Sequence, residues 1–415
     1  MPRQMGRALA GLLLIVSAAH AQTTLTWEQI RERFRANNPS LAAEKMAVQE
    51  AKAQEITAYL RPNPEATATL DQLAPFSPNP YRPLGNTLPL VSGSYLHERE
   101  HKRELRRESA RGATAIASSV LEDQERTLLF NLRSAFVGVL HAKAVLQVAQ
   151  DNLGYYDRVL EVNRTRQQAG DISEVDLGRL ELQRVQYESD VQAAQVNLRT
   201  AKIQILNLLN DRIPLEQFDV TGAFEFSEQL TPLAEYRSAA LDTRPDLKAA
   251  LQAVVKSKSD HQLAMANGST DPTFALDFGR NPPIPAYFGA SVTIPVRIFD
   301  RNQGEKLRTQ FDISRTQALV EAGRAQVFSD VDSAYATIAG NLALLRPYKD
   351  KYLRQAAKVR DTISFAYQNG GASLLDFLGA QNDYRNIQLS YLNLVGAYMT
   401  AAGQMNLAVG KEVIP

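Results

Sequence analysis

Hydrophobic positions recur along this chain in two different periods, and the order of those periods occurs twice. One seam with three- and four-residue spacing runs through Leu177, Leu180, Arg184, Tyr187, Val191, Ala194, Leu198, Ala201, Ile205 and Leu208, with Arg184 its one charged member. A second, in the same register, runs through Phe377, Ala380, Tyr384, Ile387, Tyr391, Leu394, Tyr398, Ala401, Met405 and Ala408, none of them charged. Such spacing predicts amphipathic helices packed side by side as coiled coils. Ahead of the seams, Gln168-Ala169-Gly170-Asp171-Ile172-Ser173 and Gln368-Asn369-Gly370-Gly371-Ala372-Ser373 share Gln, Gly and Ser in one order, and Asp176 and Asp376 follow at the same distance. A repeat of this length predicts a duplicated architecture.

Each half opens with a short helix, a proline break and a second helix. Trp27 to Ala36 stops before Asn38-Pro39, and Leu41 to Leu60 resumes. Leu233 to Leu241 stops before Arg244-Pro245, and a helix continues to about Ala266. Proline suits the first turn of a new helix, and the residue before it is driven out of the helical region. The period then changes to strict alternation. Phe274, Leu276 and Phe278, then Phe288, Ala290, Val292, Ile294 and Val296, are apolar at every second position. This predicts a two-faced hairpin with strands near the ~9–11 residues that cross a bilayer. The first half carries a weaker copy, with Ala66, Ala68 and Leu70 on one strand, a return strand from about Leu88 to Leu96, and a proline-rich loop between Pro75 and Pro89.

A very long helical stretch follows each hairpin. One runs from His97 to Gln168 without proline; the other runs from Gln303 to Gln368 with only Pro347. At 1.5 Å per residue either reaches ~100 Å. Gly170 and Gly370 stop them, and Ser173 and Ser373 are candidate N-caps of the returning helices. The chain therefore divides into a leader at 1–21, a first repeat at 22–210, a connector at 211–232, a second repeat at 233–410 and a tail at 411–415. The first repeat holds a hairpin at about 64–96, a long helix at about 97–168 and a return helix at about 172–210. The second holds a hairpin at about 272–297, a long helix at about 303–368 and a return helix at about 372–409.

Composition adds three points. Arg3 and Arg7, the apolar run from Ala8 to Ala19, and Ala19-His20-Ala21 form a signal peptide with an A-x-A cleavage site, which sends the chain out of the cytoplasm. No other stretch approaches the ~20 apolar residues of a membrane helix. Cysteine is absent and the net charge is +1, so packing alone holds the fold and no global field draws nucleic acid.

Two hairpins make four strands, and an open sheet edge in lipid leaves unpaired backbone groups that lipid cannot satisfy. The strands must close with copies from other subunits or stay out of the membrane. Here the chain resembles the TolC-like outer-membrane efflux factors, over nearly all of its mature length. The resemblance is carried by Asn63-Pro64-Glu65, by Thr243-Arg244-Pro245-Asp246-Leu247, by the stretch from Ser291 through Ile298-Phe299-Asp300-Arg301-Asn302-Gln303-Gly304, and by Leu375-Asp376-Phe377-Leu378-Gly379-Ala380-Gln381. The Ile298 to Gly304 stretch is most similar to the heavy-metal efflux branch.

The resemblance implies a mainly α-helical protein with a membrane β part. Duplicated long-helix hairpins would form an α-helical barrel in the periplasm, and four strands per protomer would complete a twelve-stranded barrel in a homotrimer. It implies a passive duct in the outer membrane, without cofactor, metal site or catalytic residue. A periplasmic adaptor and an inner-membrane pump, expected to be proton-driven, would complete the tripartite efflux system. By position in the family motif, Asp376 points into the constriction, Tyr367 links neighbouring coils, and Asp176 is its partner in a hydroxyl–carboxylate bond. Ala372 stands where the family has a locking arginine, and Gly379 where it has a second acidic gate residue. The turns at Gly170 and Gly370 match the tips where adaptors dock.

Three other readings compete. Type I protein secretion would use the same duct. A periplasmic coiled coil would explain the heptads but not the alternating hairpins. His97-Glu98-Arg99-Glu100-His101 satisfies H-E-x-x-H, in which two histidines one helical turn apart bind zinc and the glutamate acts as base. The dense charge that follows it, Lys102 to Glu108, and the lack of a third ligand favour a charged helix start.

Overall fold

A computed structural model describes residues 23–73, 76, 87–281 and 283–414. The leader at 1–21 and most of the first hairpin's loop lie outside the described residues. Nine α-helices and six strands are found among the described residues, and they form two compact units that are taken in turn.

One unit comprises residues 38–134, 226–354 and 397–415. It holds a four-stranded antiparallel sheet in the order β2 (Glu65–Asp71), β3 (Leu88–Leu96), β5 (Thr273–Asn281), β6 (Ile284–Thr293). Strand pairing puts Ala68, Val91, Phe278 and Phe288 in one row, and Ala66, Gly93, Leu276 and Ala290 in the next. The alternate rows are Thr67, Ser92, Asp277 and Gly289, then Glu65, Ser94, Ala275 and Ser291. One face is thus apolar and well exposed, with Leu276 71% and Phe288 87% accessible. The other is small and polar in these two rows, with Thr69, Leu90, Gly279 and Tyr287 forming the row beyond. A soluble sheet buries its apolar face, whereas a membrane barrel turns it outward. Strand β6 ends at Thr293, three residues short of the expected Val296.

The same unit holds helices α2 (Pro39–Tyr59), α5 (Leu233–Thr243), α6 (Pro245–Asn267) and α7 (Gln303–Pro347). Both proline breaks are helix starts. Asn38 accepts the Leu41 amide at 3.0 Å, and Arg244 is extended at ψ 120. The Thr243-Arg244-Pro245-Asp246 motif acts at a distance in sequence. Thr243 donates to the Val409 carbonyl and Arg244 to that of Ala408, filling orphan acceptors at the end of α9 (Leu374–Val409). The buried Arg244 guanidinium is itself gripped by Asp246 and Asp330, each at 2.6 Å. The second long helix is interrupted: after Pro347 the chain forms a π-turn, Tyr348–Tyr352, before α8 (Leu353–Gln368).

The other unit comprises residues 1–37, 135–225 and 355–396. It contains α1 (Trp27–Asn37), the distal part of α3 (Lys102–Gln168), α4 (Glu174–Leu208), most of α8 and the first part of α9. A two-stranded parallel pair joins β1 (Thr23–Leu25) to β4 (Phe218–Val220), which lies within the stretch read from sequence as a plain connector. Three residues per strand are too few for alternation to reveal. Helix α3 is 67 residues long and is the one described helix with an apolar stretch sufficient, by length and composition, to cross a membrane. That differs from the sequence reading, in which no stretch beyond the leader came near. From Ser134 to Gln150 the single charged residue is Lys143. Part of that stretch is core: Phe136, Val137, Val139 and Leu140 are buried, although only a third of the apolar stretch is.

Candidate functional site: the paired glycine turns

The two Gly turns are built alike. Gly170 and Gly370 sit at φ 84 and 76, where a side chain is strained and glycine is not. The Asp171 amide reaches back to the Arg166 carbonyl at 2.9 Å, and the Gly371 amide to that of Ala366 at 2.8 Å, the six-to-one bond that closes a helix on a left-handed residue. Beyond each turn a serine caps the returning helix. Ser173 Oγ accepts the Asp176 amide at 3.0 Å, and Ser373 Oγ accepts the Asp376 amide at 3.1 Å.

The second cap is reciprocal. Asp376 Oδ2 accepts from the Ser373 hydroxyl at 2.7 Å and from the Ser373 amide at 3.2 Å, completing a capping box. The Ser373 hydroxyl and amide hold this exposed carboxyl below its usual range. The Asp176 carboxylate instead lies 4.0 Å from Arg179, one turn on. The same serine–aspartate spacing therefore turns the carboxylate back onto its cap in the second repeat and along its helix in the first.

Behind the turns is an aromatic core. Tyr156, Leu180 and Phe377 are fully buried, with Tyr187 and Tyr367 nearly so. The Tyr367 ring stacks on Phe377 at 4.9 Å between centroids, and Tyr156 meets Tyr187 at 4.8 Å. The expected Tyr367–Asp176 bond is not formed. The Tyr367 hydroxyl instead donates to Asn163 Oδ1 at 3.1 Å, and Asn163 Nδ2 is anchored on the Val159 carbonyl at 2.8 Å. Burial drives the choice. Asn163 is 2% exposed, and a neutral amide enters this core at less cost than a carboxylate. Burial also raises the Tyr367 pKa, against the opposing pull of Arg166. Arg166 lies 5.4 Å over the Tyr367 ring. Asn163 and Arg166 were not singled out in the sequence, where an asparagine and an arginine on a long polar helix carry no signal.

The two departures from the family pattern have different physical backgrounds. Ala372 packs against the aromatic core, so its small side chain is part of the packing. Gly379 is exposed, and a Cβ there would meet no atom within 4 Å, so packing does not demand its glycine. The His97–His101 segment is not helical. Helix α3 begins at Lys102, and Glu100 and His101 are both left-handed at φ 53. The two histidines therefore lack the one-turn spacing that zinc binding needs, and Glu98 is engaged by Arg106. Among the described residues no three His, Asp or Glu side chains gather as metal ligands.

No family model matches the chain. It is 23% identical over 321 residues to the cobalt-zinc-cadmium resistance protein CzcC of Cupriavidus metallidurans, covering 75% of this chain and 74% of that one. It is also 23% identical over 294 residues to the pyoverdine export outer membrane protein OpmQ of Pseudomonas putida, covering 67% of this chain and 62% of that one. Among solved structures, CusC superposes with a TM-score of 0.78 at 18% identity, over 93% of this chain and 92% of that one. The outer membrane protein VceC of Vibrio cholerae gives 0.74 at 16% identity, over 93% and 96%.

Proposed function

We propose that the chain is a TolC-like outer-membrane efflux factor and that three copies close their four-stranded sheets into one twelve-stranded barrel. In this reading it is the outer-membrane channel component of a tripartite efflux system, a passive duct. The observation that carries the barrel reading is the two-faced sheet, whose apolar face is exposed in the single chain. Closure with neighbouring copies would pair the free edges of β2 and β6 and leave the apolar rows to lipid.

The paired turns are, in this reading, the narrow end of the duct. Asp376 and Asp176 contribute a carboxylate near each turn, and the Tyr367–Asn163 bond ties α8 to α3 within the same unit. Gly170 and Gly370 form the docking tips for an adaptor, with Val175 and Leu375 beside them 66% and 79% exposed. The names of the relatives favour a small or ionic cargo, metal ions or a compound such as pyoverdine, delivered by a pump. Purified protein in planar bilayers tests the duct: trimers that resist mild heating and conduct ions are expected. A monomer that stays with the soluble periplasmic fraction would overturn it.

A further inference from the structure

The apolar alternation of β6 does not stop where the strand stops. Ile284, Ala286, Phe288, Ala290, Val292, Ile294, Val296 and Ile298 occupy eight successive alternate positions, and all are apolar. Strand pairing ends at Thr293, and the Ile298 amide turns back to the Val296 carbonyl at 3.1 Å, yet Ile294, Val296 and Ile298 are 56%, 81% and 62% exposed. Phe299 follows at 89%. Arg297, between them, contributes to the electrostatic environment of Asp271. A polar link between a barrel and a helix would need none of these apolar side chains.

Length decides what they face. From Ile284 to Val292 is about 26 Å along the strand at ~3.3 Å per residue. At the ~40° tilt of a membrane barrel this covers only about 20 Å of the bilayer normal, short of the ~25 Å apolar band. Continuing to Val296 brings the same line to about 30 Å. The exposed row is also continuous with the apolar rows of the sheet through Val292.

We infer that the linker from Ile294 to Phe299 is a membrane contact, seated in the periplasmic leaflet and completing the apolar belt that the strands leave short. Its occupant is phospholipid acyl chain, with Phe299 at the headgroup boundary, where aromatic rings concentrate. This rests on the barrel reading above. It assigns a role to the Ile298-Phe299 part of the motif that strand pairing and helix capping leave unused.

Full-length protein with its single tryptophan removed (Trp27→Phe) gives a dark background for two reporters. Phe299→Trp is the linker reporter and Leu276→Trp the sheet reporter, each reconstituted with phospholipids brominated at defined acyl positions. Both are expected to emit in the blue and to lose at least half their intensity. The linker reporter should be quenched best by the label nearest the headgroup. If the sheet reporter is quenched and the linker reporter is not, the linker inference fails while the barrel stands. Blue emission from the linker reporter without quenching would mean that a neighbouring copy covers it, which also overturns the inference. If neither is quenched, the barrel reading itself fails and the linker inference with it. As a second arm, Ile298→Asp/Phe299→Asp should lower the yield of heat-resistant trimer several-fold, while Asp300→Asn leaves it unchanged. An unchanged yield in the double variant would overturn the anchor role.

Discussion

Two buried tyrosines of the aromatic core should respond to loss of a hydroxyl with opposite sign. The Tyr367 hydroxyl is bonded to Asn163, whereas that of the fully buried Tyr156 has no hydrogen-bond partner among the described residues. Removing one member of a buried pair leaves the other unsatisfied at about 1–3 kcal/mol, whereas deleting an orphan hydroxyl is neutral or stabilising. Tyr367→Phe and Asn163→Leu should therefore each raise amide exchange around the turns by about tenfold to a hundredfold. Tyr156→Phe should slow it or leave it unchanged, and faster exchange there would refute the assignment. The Asp376 cap sets a pH limit of its own. Its folded pKa lies below the usual 3.8, so the cap's stabilisation is present above that value and disappears as pH falls through the lowered one. Exchange of the Ser373 amide, followed from neutral to strongly acid solution, should accelerate through loss of the cap only at the acid end. At this scale the sequence was half legible. Glycine and serine announce turns and caps by their own chemistry, so Gly170, Gly370, Ser173 and Ser373 could be read directly. The partner of Tyr367 could not, because it depends on which α3 side chain faces a core that only the packed helices define.

Among the elements, the least forgiving joint is the start of α3. Lys102 is 3% exposed, its ammonium pairs with Asp271 at 2.6 Å, and the Arg99 amide donates to the same carboxylate at 2.9 Å. Lys102 also donates to the Ser269 carbonyl at 3.0 Å, so the buried cation is held from two sides of one loop. Asp271→Asn leaves that cation without its carboxylate, at about 3–5 kcal/mol, and should lower the melting temperature of the purified protein. Lys102→Met/Asp271→Leu should recover much of that loss, because an apolar pair carries no buried charge. If Asp271→Asn melts like the parent, the joint is held elsewhere. Elements were legible wherever a period ran long enough. The seam from Leu177 to Leu208 is buried or half-buried at every position, Arg184 included, although its head reaches out to Asp157 and Glu188. The first turn of α3 was misplaced because a helical spacing of two histidines says nothing of the left-handed pair Glu100 and His101 that precedes the helix. The pair β1 and β4 fell below the length at which alternation carries information.

For the whole molecule, the distribution of charge bears on what the proposed duct would pass. On the polar face of the four strands the charged residues are Glu65, Asp71 and Asp277, all acidic. Tripled in the proposed barrel, they would line its lumen with one sign of charge, and in the same proposal Asp376 and Asp176 would do so at the constriction. Rings of carboxylates attract cations and slow multivalent ones. The two levels should separate in single-channel recordings, because only a constriction lets one ion block the path. Asp376→Asn is expected to weaken block by divalent cations with little change in reversal potential, since the wide barrel continues to select. Asp277→Asn should shift the reversal potential in a salt gradient toward anions and leave divalent block intact, because Gly289 opposite leaves that row open. Both effects should shrink as salt rises from ~0.1 M to ~1 M, where the screening length falls to about 3 Å. If Asp376→Asn left divalent block unchanged, the constriction would lie away from the Gly370 turn. The proposed adaptor docking would then be the one role left to the duplicated turns.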